Sequence, residues 1–287
     1  MICNLCPRNC GAERNELFGG GICHMPTKLK IAHYELFKYE EPCISIGKGS
    51  GAIFFSGCNL NCIFCQNYDI STCGKGRLFT KEEFIDIIKE LESMGAENIN
   101  LVSPMHYSYA IIDALKTYKP KVPVIYNTNG YEKVEVIKAL APYVDVFLPD
   151  FKYKDPALSK RFSNVNDYFA VTLKAIRVMR DLKKDIYDEN GKILQGVIIR
   201  HMILPLCTSD SINVLNAIKG EFAGTKVSLL AQYTPYAKAS EIKAINRKIT
   251  AREYKVVLDK YIELGLDGFI QELDSASKDF IPKFKFV

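Results

Sequence analysis

The chain of 287 residues is 48% hydrophobic and carries a net charge of +5, with lysine and arginine spread along its length. That composition can bury one large core, offers nucleic acid no concentrated basic patch, and contains no apolar run near the ~20 residues that cross a bilayer. Ten cysteines, most of them in two tight sets, indicate metal ligation in a reducing compartment rather than the disulfides of a short secreted scaffold.

Residues 1–27 hold the first set. Cys3, Cys6, Cys10 and Cys23 are interleaved with Gly11, Gly19, Gly20 and Gly21. A segment this short and glycine-rich has almost no core of its own, so four thiols in it point to a knuckle that folds around a metal. Zinc and an iron–sulfur site are both open, because the spacing is not the ferredoxin run. No basic stretch precedes an apolar one at the N-terminus, so a secretory signal is not expected and a cytoplasmic location is. In residues 28–50, Lys28–Tyr34 and Glu40–Ile46 alternate loosely and predict edge strands or an extended wrap. Cys43 reads as core, and Lys48–Gly51 as a turn.

The remainder, residues 51–287, reads as one α/β unit. Ala52–Phe55 is an apolar run bounded by glycines, the pattern of a buried strand. Cys58, Cys62 and Cys65 follow it in a C-x3-C-x2-C array, with Phe64 just before the third cysteine. The array therefore sits on a loop leaving a strand end, where parallel α/β folds place their chemistry. Thiolates select iron–sulfur clusters, zinc or copper(I). A closed structural zinc shell needs four ligands, whereas three leave one coordination position for chemistry.

Strand and helix signals then alternate. Thr80 and Glu83 form a capping box before Phe84, Ile87, Ile88 and Leu91 at helical spacing. Strands are predicted at 98–102, 122–126, 144–148, 196–204, 226–231 and 268–271. Helices are predicted near 109–118, 132–140, 167–182, 211–222 and 250–264, the last opened by a second capping box at Thr250 and Glu253. This alternation predicts right-handed βαβ units around a parallel sheet, a partial (β/α)6 barrel.

Ligand groups in such folds gather at the carboxyl ends of the strands. The first of those ends after the cysteine loop carries Ser103, Pro104 and His106, where His106 reads as an acid/base or substrate contact or as a structural histidine. Asn127 and Asn129, two apart, can share a face at the next end, and Asp150 and Lys152 at the one after. That acid and base suit ribose hydroxyls or a carboxylate, or form an ordinary loop ion pair. Arg200 lies on the strand that ends at Pro205.

The triplet, with Phe64 and the strand before it, resembles the signature of the radical S-adenosylmethionine (SAM) enzymes. The resemblance implies a 4Fe–4S cluster on Cys58, Cys62 and Cys65, SAM bound at its fourth iron, and a partial TIM-like barrel. Residues 127–130, 150–152, 200–205 and 233–236 resemble successive strand ends of the pyruvate formate-lyase activating enzymes. The closest likeness is to an activating-enzyme-like iron–sulfur subgroup with an N-terminal four-cysteine segment. Two departures stand out: no Gly-Gly-Glu-like motif follows the strand ending at Ser103, and Asn127 stands where those enzymes have aspartate. The resemblance implies that Asn127, Thr128 and Asp150 contact SAM and line a monovalent-cation site, a claim that the asparagine at 127 weakens. Phe64, Ser103, His106, Asn129, Lys152 and Arg200 are the further candidate cofactor contacts, with Arg200 equally able to pair with a barrel acid. The resemblance also implies a flavodoxin or ferredoxin electron donor and a glycyl-radical enzyme as the hydrogen donor. Radical modification of a small metabolite or peptide is the alternative, and a zinc-binding adaptor without catalysis the further one.

Overall fold

The computed structural model describes residues 2–276, Phe284 and Phe286. Its strands are β1 (Leu29–Phe37), β2 (Ser50–Phe55), β3 (Arg77–Phe79), β4 (Ile99–Val102), β5 (Val124–Thr128), β6 (Val146–Pro149), β7 (Ile186–Tyr187), β8 (Ile193–Met202), β9 (Lys226–Leu230) and β10 (Gly268–Ile270). Its helices are α1 (Tyr68–Ser71), α2 (Lys81–Ser93), α3 (Ser108–Thr117), α4 (Val134–Leu140), α5 (Pro156–Ser163), α6 (Tyr168–Leu182), α7 (Thr208–Glu221) and α8 (Ala251–Glu263). No described helix is long and apolar enough to cross a membrane.

The sheet runs β10-β9-β8-β6-β5-β4-β2-β1-β3. Every step from β2 to β10 is parallel, and β1 joins β2 antiparallel at one flank. The path ends at β10 and β3 without closing, which is the open partial barrel that the alternation predicts. Both predicted capping boxes form: the Thr80 and Thr250 hydroxyls accept from the Glu83 and Glu253 amides, and each glutamate reaches back to the cap. Helix α5 carries a readable signal that the sequence pattern at helical spacing missed, with Asp155 as cap and Pro156 in the first turn.

Period-two alternation divides the strands into two faces. Tyr126, Phe147, Val197 and Ile199 pack outward in the main core with Ile111, Ile137, Ile176 and Leu215 of the helices. Ile125, Val146, Leu148 and Ile198 form a separate inner cluster. Residues 40–46 do not form the edge strand or wrap expected of them. They turn back into the barrel, and Cys43 and Ile44 join that inner cluster. The backbone of this segment is satisfied by interior partners: Ile193 N–H donates to Cys43 O at 2.8 Å and Asn98 Nδ2 to Ile44 O at 2.7 Å. It is a plug under the inner face of the sheet.

Candidate active site

The loop after β2 is shaped by what lies above it. Gly57 has φ +86°, and a Cβ there would meet the Met25 side chain at 2.2 Å, so only glycine passes beneath it. Asn61, also left-handed at φ +50°, donates from Nδ2 to Ile22 O at 2.9 Å. Arg8 clamps the loop to α5. Its guanidinium donates to Asn59 O (2.7 Å), Ser163 O (2.9 Å) and Asn164 O (2.6 Å). Phe64 is buried among the rings of Tyr153, Phe162 and Tyr233 at 6.0–6.4 Å.

Cys58, Cys62 and Cys65 line one wall of a cavity of about 520 Å³. Each sulfur has polar neighbours. Leu60 N–H and Asn129 Nδ2 donate to Cys58 Sγ at 3.4 Å, Ser71 Oγ donates to Cys65 Sγ at 3.3 Å, and Ser163 Oγ lies 2.9 Å from Cys62 Sγ. Burial pushes the Cys62 thiol up to about 12 and raises Cys65, so ligation must drive their deprotonation. Among the described residues no three His, Cys, Asp or Glu side chains close on a single ion. Three thiols lining one cavity, with donors assigned to Cys58 and Cys65, are soft ligands that suit an iron–sulfur cluster.

In the same cavity the strand ends contribute a charged network. Lys152 Nζ donates to Asp150 Oδ2 at 2.6 Å and Arg200 Nε to Asp150 Oδ1 at 3.0 Å, while Arg200 Nη2 donates to Asn127 Oδ1 at 2.6 Å. Burial opposes ionisation of Asp150, but Lys152 and Arg200 outweigh it and hold the carboxyl below its usual range. Burial also works against the charge on Lys152, and Asp150 more than offsets it. The network presents fixed donors and acceptors to a zwitterionic ligand such as the amino-acid end of SAM.

Of the predicted site residues, Phe64, Ser103, Asn127, Asn129, Asp150, Lys152 and Arg200 all line this cavity. Ser103 does so from a left-handed backbone at φ +56°, its N–H donating to Asn127 O at 2.9 Å. Asn129 serves the cysteine loop, bonding Cys58 Sγ and Asn59 Oδ1. His106 is the correction. It does not line the cavity but is buried beneath the N-terminal segment, with its Nε2 2.6 Å from Ser56 O and Arg14 donating to its backbone carbonyl at 2.9 Å. The short helical turn at Met105–Tyr107 turns it away from the mouth. There it lines a small pocket with Cys3, Cys6, Cys10 and Cys23.

The sequence pattern gave no sign of Glu40 and Glu41, which line the cavity from the plug. It also missed Gln66, Gln232 and Gln271, whose side-chain amides join across the cavity's rim. Two-residue alternation along a strand finds neighbours on one element only, and these groups come from different ones.

The sequence matches the family described as "Radical SAM superfamily" over residues 52–196. It is 29% identical over 280 residues to "Uncharacterized protein MJ0674" of Methanocaldococcus jannaschii, covering 92% of this chain and 75% of that protein. It is 26% identical over 239 residues to "Pyruvate formate-lyase-activating enzyme" of Clostridium pasteurianum, covering 79% and 84%. Among solved structures, Streptococcus suis SuiB bound to its precursor peptide SuiA aligns at a TM-score of 0.52 and 13% identity. That alignment covers 78% of this chain and 49% of SuiB, so the chain spans about half the length of SuiB. SuiB bound to S-adenosylmethionine aligns at 0.51 with 15% identity, covering 78% and 50%. These structures share the fold. With the family match extending over just over half of its 287 residues, the chain belongs to the radical SAM superfamily.

Proposed function

We propose that this radical SAM enzyme holds a 4Fe–4S cluster on Cys58, Cys62 and Cys65 and SAM between that cluster and the Asn127–Asp150–Lys152–Arg200 network. The observation that carries the reading is the placement of three thiols and one buried acid–base network around a single cavity. When bound and reduced by flavodoxin or ferredoxin, the cluster supplies the electron that cleaves SAM to a 5′-deoxyadenosyl radical. The chain's own residues orient and shield. Lys152 and Arg200 neutralise carboxylates, Asn129 and Ser71 steady the sulfurs, and the buried walls exclude water from the reacting centre.

For the hydrogen donor we favour a backbone glycine of a partner protein, on the strength of the similarity to the activating enzyme over most of both chains. A small metabolite or peptide is the second reading, favoured by a cavity of about 520 Å³ lined by many groups beyond the cysteines and the charged network. For Cys3, Cys6, Cys10 and Cys23 we propose a second metal, zinc or iron–sulfur, since all four thiols line one small pocket and would draw together only as the metal loads. Anaerobic reconstitution tests the first reading. One cluster dependent on the triplet and release of 5′-deoxyadenosine on reduction are expected; iron-loaded protein that releases none overturns it. Metal analysis of a variant lacking the triplet reports what the N-terminal thiols hold.

A further inference from the structure

We infer that Gln66 is a positioning residue for the third cysteine: its side-chain amide fastens the cysteine loop to the loop after β9 and so fixes Cys65. This role rests on the reading of Cys65 as a cluster ligand. In the sheet, β4, β5, β6 and β8 stand between β2 and β9, and the path of strands does not close. Residues beyond the ends of β2 and β9 nevertheless meet. Gln66 Nε2 donates to Gln232 O at 3.2 Å, and Gln232 Nε2 donates back to Gln66 Oε1 at 3.4 Å. Both glutamines line the cavity that Cys65 lines.

Two further contacts join the same two segments. The rings of Phe64 and Tyr233 meet edge to face at 6.1 Å, and Tyr236 OH donates to Asp69 Oδ2 at 3.4 Å. Residues 64–69 and 232–236 are thus joined at three places, and in the cysteine loop the amide pair falls between the other two. Gln271, one residue beyond β10, extends the run. Its Nε2 donates to Gln232 Oε1 at 3.0 Å, and its Oε1 accepts from Ala231 N–H at 3.1 Å. The bonds between Gln66 and Gln232 are long and individually weak. They act as a set, because each amide both donates and accepts and Gln271 fixes the side chain of Gln232.

The earlier part of the loop is held from elsewhere. Arg8 donates to Asn59 O and Leu60 O, Asn61 donates to Ile22 O, and Ile63 N–H donates to Phe162 O at 2.9 Å. Those partners belong to the N-terminal segment and to α5. Past Ile63, ties to the loop after β9 take over, and Gln66 makes the amide one while bonded through the main chain to Cys65. A loop left untied is mobile, and a cluster needs its third ligand at a fixed place.

The test is a double-mutant cycle on the full chain. Gln66→Met and Gln232→Met keep the side-chain length and remove the amides. In the cluster-loaded enzyme each is expected to change the electron paramagnetic resonance signal of the reduced cluster and to speed iron loss to a chelator about three- to tenfold. The double variant is expected to do no more than either single one. Unchanged signals and rates in both single variants overturn the inference, and so do effects that add in the double variant, which make the two amides independent. Hydrogen exchange in the metal-free chain is the second measurement. In wild type, peptides covering 64–72 and 231–237 are expected to share one opening equilibrium, which Gln66→Met shifts in both. Separate openings in wild type overturn the inference whether or not the variants fold. Exchange needs neither cluster nor SAM. Wild type that loads iron but releases no 5′-deoxyadenosine overturns the radical reading alone, so the two failures are distinguishable.

Discussion

Asp150 accepts from Lys152 and from Arg200 on its two oxygens, at 2.6 and 3.0 Å, so one carboxylate holds two cations in place in the cavity that the cysteines line. Removing the acid strands both. Asp150→Asn is expected to weaken SAM binding about tenfold or more and to destabilise the fold by about 3 kcal/mol, since buried cations are left unpaired. Equilibrium binding and denaturant melts check the two effects. Unchanged values in both place the network outside the site.

Each sulfur of the triplet is predicted to be indispensable in the same way. Cys58→Ala, Cys62→Ala and Cys65→Ala each abolish 5′-deoxyadenosine release, because a cluster on two protein ligands is not held in register. Iron content and the product assay are read on the same preparation. A single variant that keeps full turnover removes that cysteine from the ligand set.

Ser163 offers a finer probe. Its hydroxyl is 2.9 Å from Cys62 Sγ and 2.9 Å from Tyr153 OH. Hydrogen bonds to cluster sulfurs raise the reduction potential, so Ser163→Ala is expected to lower it while the iron content stays. Potentiometric titration followed by electron paramagnetic resonance gives the sign, and a rise contradicts the assignment.

Arg8 ties the N-terminal segment to the cysteine loop by a fork reaching residues 59, 163 and 164. Arg8→Lys keeps the charge but not the fork, and is expected to speed iron loss to a chelator several-fold. A rate equal to wild type means that the loop holds its shape unaided.

Glu132 predicts a pH effect. Burial pushes its carboxyl up to about 8 from 4.5, with Thr128 and Tyr126 pulling the other way. The folded state thus keeps a proton that the unfolded state loses, so stability falls as pH rises from about 4.5 to 8. Glu132→Gln removes that slope, and its stability relative to wild type is expected to improve by about 2–4 kcal/mol between pH 5 and pH 8. Parallel melts across that interval settle the sign.

Much of this architecture was legible because its signals are local. The capping residues Thr80 and Thr250 mark helix starts within four positions, and the triplet announces its own loop. The strand-end groups Asn127, Asp150 and Arg200 meet at one cavity, since alternation fixes which residues share a face once the strands are known. His106 was misplaced because its direction depends on the short helical turn around it and on a cover, residues 1–27, lying far back in the chain. Glu40 and Glu41 were illegible for a related reason. Loose alternation reads as strand, whereas the groups that capture this stretch, Asn98, Asn100 and Ile193, belong to strands or strand edges remote in sequence.

The segment at Cys43–Ile44 carries a consequence for how the molecule is made. It leaves the ribosome before any of the parallel strands, yet its seat is finished only when β8 supplies Ile193 and Ile198. Until then an early-synthesised turn of apolar and acidic groups lacks its seat on the inner face of the sheet. Final consolidation therefore couples the first part of the chain to a much later one, a contact of high sequence separation of the kind that slows folding.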